Sequence, residues 1–539
     1  MAVVRWGGFG GENRAVHPKL LGESVGTVSR NQKPGRGDLR PWRFPAFVAS
    51  AAAGRKTIYR MGRDVASDSH YWLTWPTVVH AIRGFSADDT TEQTFYTGDG
   101  APKVTNNILA LAGGAYPSGN RPMGIPAPAT VLTVTPNAND GLLGNDVSYV
   151  YTYTFVSDWG WESAPAPPSV VHTRKSDATA TISGFAAAPV GNYGITSIRI
   201  YRSQPTGSGV DGYFFLQEVG YGAADAQDDN RPLGEAIATS AWLSPPDDLH
   251  HLCALWNGMA AGISGNSVRF CEAYVPYAWP MAYEVIPPDS QPVALGVAGQ
   301  NLVVLTNGRP LVVSGSSPDG MDQRPLEFYQ GCVAPRSVVS MGAGVVWASS
   351  DGLCWWGPGS GARVITAGIM TRDDWQALAP GSVVGQMYEG LYFGSYDDGT
   401  GRKGFFVDPV NPTGIYFLDG GYEAMHFDEL QDQLYVLDGA GVMRWDADDF
   451  AMTARARSKV FRVPAPMNFA CAEVVADVYP ATFRLWADGV LRHTQTVVSR
   501  NPFRLPSGYM ALDWQLEVET AGAVQGASVA TSMNELAQV

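Results

Sequence analysis

Charge is scarce in this 539-residue sequence: Asp, Glu, Lys and Arg make up 16% of it, against roughly a quarter in ordinary soluble domains. Basic charge is the scarcer kind, with 37 Lys and Arg against 51 Asp and Glu and a formal net charge of −14. Phosphate affinity comes from basic surface that releases counterions, so the simplest nucleic-acid-binding class is excluded. Long apolar runs are missing as well. No window of 18 residues is apolar, and the opening MAVVRWGGFGGENR has no apolar stretch leading to a small-residue cleavage site, so neither stable membrane insertion nor secretion is expected. Cysteine is rare and odd in number: Cys253, Cys271, Cys332, Cys354 and Cys471 show no CxxC spacing. Reduced, mostly buried thiols in a chain that folds in a cytoplasm fit that pattern better than cystines or a zinc site.

Signatures of chemistry are also absent. HExxH, GxSxG and Walker patterns do not occur, and the glycines of GGFGGENR do not sit between a strand and a helix as a dinucleotide fingerprint requires. The adjacent His250 and His251 follow Asp247-Asp248 without a second ligand pair at useful spacing, and read as solvated linker histidines. Ser395-Tyr396-Asp397-Asp398-Gly399 resembles the start of the Asp-box of sialidase propellers, with Arg402 where that motif ends in an aromatic or Thr; such a box is a structural turn. Asp373-Asp374 and Asp448-Asp449 read as turn or cap residues. No enzymatic activity, catalytic residue, metal or cofactor is expected.

What the sequence has in quantity is turn and strand material: 61 Gly, 37 Pro, 16 Trp and 23 Tyr, with 45% hydrophobic residues overall. That composition points to an all-β chain with cores of substantial size. Six segments read as strand, tight turn, strand: QTFYTGDGAPKVT, MAAGISGNSVRFC, LVVLTNGRPLVVSG, VVWASSDGLCWWG, LYFGSYDDGTGRKGFFV and LYVLDGAGVMRW. Asn307-Gly308 and Asp351-Gly352 are the strongest hairpin signals among them. The turns centre near 99, 265, 308, 351, 400 and 439, at intervals of 166, 43, 43, 49 and 39. Four intervals match one propeller blade of about 40 to 50 residues. The fifth exceeds a blade by 123 residues, which calls for an inserted domain.

The spacing therefore predicts a β-propeller-like core with an inserted fibronectin-III/Ig-like sandwich and a C-terminal β-sandwich. The expected divisions are a basic extended N-terminal arm at 1–45, propeller at 46–124, the insertion at 125–245, the rest of the propeller at 246–457 and the C-terminal sandwich at 458–539. Within the insertion, Tyr149, Tyr151, Tyr153 and Phe155 alternate along a strand, and TSIRIYRSQ with GYFFLQEVG makes a hairpin around Thr206 to Asp211. In the C-terminal part, Ala487-Asp488-Gly489 is a hairpin turn and SMNELAQ a terminal helical turn. Thr371 with Asp374 three residues later predicts a capped helix over 371–379. Trp159, Trp161, Trp279 and Trp355-Trp356 are candidates for subunit contacts, although most propeller tryptophans pack between blades.

The first 43 residues run against the net charge. Arg5, Arg14, Lys19, Arg30, Lys33, Arg36, Arg40 and Arg43 face only Glu12, Glu23 and Asp38, leaving the segment at +5 and the remainder at −19. With neither a helical nor a strand period, it reads as an extended arm. It is either a solvated tail or an arm that orders on an acidic neighbouring subunit, with those eight basic residues as its contacts. Arg36-Gly37-Asp38 is an adhesion tripeptide by composition, but three common residues coincide by chance.

GGENRAVHPKLL, TFYTGDGAPKVT, YTYTFVSDWGWESAPAPPS, SVRFCEAYVPYAWP, GQNLVVLTNGRPLVVSGSSPDGM, SKVFRVPAPMNF and NPFRLPSGY together resemble tail structural proteins of tailed bacteriophages. The nearest type is the nozzle, or tail tubular protein B, of short-tailed phages. The resemblance implies a virion protein made in the host cytoplasm and a homo-oligomer, as a hexameric ring of propeller-bearing subunits. Such a ring lies below a portal-side adaptor, contacts other tail proteins or fibres, and forms part of the DNA exit channel during genome ejection, without binding the DNA specifically. The −19 body is permissive for such a conduit, since a basic wall would hold DNA at each step. The alternative is a receptor- or glycan-binding tail protein that uses an aromatic propeller face.

Overall fold

The computed structural model describes residues 3–62, 67–137, 143–206 and 209–537. They are almost entirely strands and turns, and the fold is the all-β, propeller-like one with an inserted sandwich and a C-terminal sandwich. Among the described residues, six antiparallel four-strand meanders occur, spanning 80–122, 250–285, 292–325, 339–364, 384–418 and 424–444, the last completed by Ala46–Ser50 as its outermost strand. Each of the six expected hairpin turns lies between the second and third strands of one meander: Thr94–Thr97 to Lys103–Thr105, Ala260–Ser264 to Ser267–Phe270, Asn301–Thr306 to Leu311–Ser314, Val345–Ala348 to Leu353–Gly357, Leu391–Asp397 to Arg402–Val407, and Gln433–Asp438 to Gly441–Arg444. The 43-residue spacing is thus the repeat of a blade, and the long interval holds the insertion.

The chain divides into two compact units, one of 1–77, 289–313 and 324–539 and the other of 78–288 and 314–323. In the first unit the innermost strands Pro292–Ala298, Val339–Ser340, Val384–Tyr388 and Ala424–Asp428 stand side by side in chain order, followed by the two-stranded hairpin Thr57–Arg60 and Trp72–Trp75. Apolar side chains from neighbouring blades meet between them. Trp355, Trp375 and Phe405 fill one such core, and Trp42, Phe393, Phe406 and Trp445 another. Trp42 stacks on Phe406 at a centroid separation of 4.8 Å. Helices are short. Thr371 caps Arg372–Gln376, its hydroxyl accepting the Asp374 N–H at 3.1 Å.

The N-terminal segment is where expectation and structure part. It is not an arm held off the body: Val3–Gly7 pairs with Val524–Ala530, and Val28–Arg30 pairs antiparallel with Ala454–Arg457 and parallel with Tyr416–Leu418. Trp6, Phe9 and Leu39 are buried in the C-terminal core with Phe469, Phe483 and Trp514. The C-terminal sandwich therefore takes one strand for each of its sheets from the first 30 residues, and through Val28–Arg30 its larger sheet is continuous with the blade 384–418. The segment has no visible period because its strands are short, three and five residues, and their partners lie hundreds of positions away.

In the second unit the innermost strands of the two blades, His80–Arg83 and His250–Ala254, are neighbours. Among the described residues the insertion between them holds eight strands. Thr133–Pro136, Ala180–Ser183 and Asp225–Asp228 form one sheet, opposed by Tyr151–Ser157 with Ile195–Thr206 and Gly209–Gly220, while Asp146–Tyr149 pairs with His172–Lys175. The tip of the predicted hairpin, at 207–208, lies outside the described residues. Tyr149, Tyr151, Tyr153 and Phe155 are all buried, and so are Thr152 and Thr154, whose hydroxyls donate to the Ala166 carbonyl and the Glu162 carboxylate. The insertion shares a core with its flanking blades, so 125–245 is not a separate body.

Candidate functional site

A cleft of about 260 Å³ opens in the second unit, lined by the loop 84–93 of the first blade, the turn Trp159 to Trp161 of the insertion, and Tyr274, Pro276 and Tyr277 after the third strand of the second blade. The turn is built locally: the Ser157 hydroxyl accepts the N–H groups of Trp159 and Trp161, and Gly160 takes a φ of 76°. Arg121, on the outer strand of the first blade, donates to both Asp158 oxygens at 2.5 and 2.9 Å and places its guanidinium 4.1 Å over the Trp159 ring. Hydrogen bonding from Arg121 is the main reason the Asp158 carboxyl is held below its usual range. Trp161 is locked by stacking, 4.4 Å from Tyr277 with planes 13° apart and 5.8 Å from Phe95.

The opposite wall is equally constrained. Asp89 accepts from the Thr91 N–H and hydroxyl and from the Gln93 N–H, bracing the loop that carries Phe85 and Ser86. Tyr274 is 67% exposed and holds a left-handed φ of 61°, an uncommon state for an aromatic residue. Its N–H donates to the Gly258 carbonyl, and a Cβ at position 258 would lie 2.5 Å from the Tyr274 ring, so glycine is required there. Burial pushes the Tyr277 phenol up to about 12. The arrangement presents flat aromatic faces beside hydroxyl, amide and carboxylate groups. It can hold a ligand that is apolar on one face and polar at its edges.

The eight basic residues singled out in the first 43 do not line this cleft, and most of them pair with carboxylates elsewhere. Arg14 and Arg30 bracket the buried Glu12 at 2.6 and 3.1 Å, Lys19 pairs with Asp513 at 2.6 Å, Lys33 with Asp446 and Glu389 at 2.7 and 2.9 Å, and Arg40 with Asp38 at 3.1 Å. Arg5, Arg36 and Arg43 are exposed. Of the five tryptophans singled out, Trp161, Trp279, Trp355 and Trp356 are buried and Trp159 is partly accessible. His250 and His251 belong to a strand and not to a linker: the His251 ring lies 4.2 Å from that of His80, and burial first, then the neighbouring imidazoles, holds its pKa well below the ordinary value. Among the described residues no group of three potential ligands could hold a metal, and no helix is long and apolar enough to cross a membrane. The aromatic pair of the cleft was legible in SDWGWES. Phe85, Tyr274 and Tyr277 were not, since nothing local ties them to a turn 74 to 118 positions away.

No family model matches the chain, and no curated protein does. Among solved structures, the extracellular domain of a putative one-component system from B. thetaiotaomicron aligns at 8% identity over 93% of this chain and 59% of its own, with a TM-score of 0.26. The Neurospora crassa Pan2 WD40 domain aligns at 11% identity over 52% and 86%, TM-score 0.26. The exo-beta-1,3-galactanase of Phanerochaete chrysosporium aligns at 8% over 54% and 98%, TM-score 0.24. Likenesses of that size carry no functional argument; the propeller-like class rests on the strand pairing itself.

Proposed function

We propose that the chain is a non-enzymatic structural subunit of an oligomeric phage tail ring, a nozzle or tail-tube component around the DNA exit path. The sequence resemblance supports this, and one structural observation favours an assembling chain over a free monomer. Ala46–Ser50, the outermost strand of its blade, pairs on one side only among the described residues and is apolar (AFVAS). Phe44, Phe47 and Phe450 beside it are 47, 63 and 76% exposed, with the Phe44 N–H donating to the Phe450 carbonyl. Open apolar edges are normally blunted or covered, so this one fits a neighbouring subunit. Mass measurement and negative-stain imaging of the purified chain test the reading. Rings with a central opening are expected, with Phe47→Asp driving them toward monomers; a chain that stays monomeric at tens of micromolar rejects it. The glycan-binding alternative has its own support in the aromatic cleft.

A further inference from the structure

We infer that the cleft formed by Phe85, Gln93, Trp159, Tyr274 and Tyr277 is a binding site for a neutral saccharide, one pyranose ring deep. The inference deepens the glycan-binding reading and rests on it; it is independent of ring assembly. Three observations converge. First, size: about 260 Å³ falls just below the roughly 300 to 1,000 Å³ of drug-sized sites, which suits one sugar ring and not an extended chain. Second, chemistry: a pyranose has a face of C–H groups, which the negative face of an aromatic ring attracts, and a rim of hydroxyls that needs donors and acceptors. The cleft supplies both, with Trp159 and Tyr274 as rings and Ser86, Asp89 and Gln93 as polar lining.

Third, the rings are held before any ligand arrives. Trp159 is fixed by the Arg121 guanidinium over its ring and by the Ser157 hydroxyl beneath its turn. The Tyr274 ring rests against Gly258, where a Cβ would lie 2.5 Å from it, and its backbone is held at a left-handed φ of 61°. A large exposed aromatic side chain on strained backbone costs stability, and such strain gathers at binding sites. Trp161 and Tyr277 stack on one another inside the cleft, whereas Tyr274 in its lining stays 67% exposed. A neutral sugar fits better than an acidic one, because the Asp89 carboxylate faces the cleft and the cation nearest Trp159, Arg121, is already bound to Asp158.

The test uses the full chain and a panel of methyl glycosides of glucose, galactose, mannose and N-acetylglucosamine, followed by tryptophan fluorescence and saturation-transfer NMR. Roughly millimolar affinity is expected for a ligand of about a dozen heavy atoms. Trp159→Ala and Tyr274→Gly should each weaken it at least about tenfold. The second variant keeps the left-handed backbone without strain and removes only the ring, so it isolates the contact from folding. Tyr329→Ala, at an exposed ring elsewhere, should leave binding unchanged. Binding that is indifferent to both cleft variants overturns this site while sparing a glycan-binding role. No saturable binding by any member of the panel at about 100 mM overturns both. Particle mass, read on the same samples, reports the ring separately.

Discussion

Asp228 is fully buried in the insertion, and its carboxylate receives Arg174 at 2.6 Å, Arg202 at 2.7 Å and the Tyr151 hydroxyl at 2.7 Å. Burial pushes its pKa up, but the hydrogen bonds from Arg202 and Tyr151 and the two guanidinium charges outweigh it, and the net shift is downward. Glu517 in the C-terminal sandwich follows the same pattern, with burial opposed by Arg457, Arg455 and Arg484. A carboxyl whose folded pKa lies below its unfolded value, about 4, contributes stability that is complete above that value and is lost as pH falls through the folded pKa. Asp228→Asn should therefore cost about 3 to 5 kcal/mol at neutral pH, since it strands two buried guanidiniums. The difference between parent and variant should narrow below about pH 4. Urea denaturation at pH 7 and at pH 3.5 checks both statements, and a constant difference would mean that folding leaves the carboxyl's pKa unshifted.

The elements most exposed to test are the N-terminal strands. Trp6 and Leu39 are buried among residues between 454 and 529, so removing 1–43 should abolish cooperative unfolding of the C-terminal sandwich and not merely weaken assembly. Trp6→Ala alone should cost about 3 to 5 kcal/mol, read from thermal or urea melts; a truncated chain that unfolds cooperatively at the parent's midpoint would restore the arm. The contrast with the blades shows what a sequence displays. Asn307-Gly308 and Asp351-Gly352 announce their hairpins because an Asn-Gly or Asp-Gly turn is a property of adjacent residues, and the 123 surplus positions announce an insertion by simple spacing. Val3–Gly7 announces nothing, since its partner Val524–Ala530 lies at the other end of the chain. The same limit hid most of the cleft: Trp159 and Trp161 are neighbours in sequence, but the other residues that line it come from two blades.

At the scale of the whole molecule, the charge of −14 bears on the proposed conduit. The one basic stretch of sequence is spent internally. Five of its eight cations are paired with carboxylates of the same compact unit, leaving Arg5, Arg36 and Arg43 exposed. Nonspecific DNA binders reach about 10⁻⁴ to 10⁻⁶ M at physiological salt by aligning cations with successive phosphates, and each phosphate neutralised steepens the salt dependence. This chain should bind duplex DNA more weakly than about 10⁻⁴ M, with a shallow dependence on salt. Fluorescence anisotropy of a labelled duplex across a salt series measures both. A ring subunit with these properties would let DNA pass without retaining it, because each step along the wall would meet repulsion or an isolated Arg. Tight binding that falls steeply with salt would show a basic track assembled from residues distant in sequence, and the passive conduit would then be abandoned.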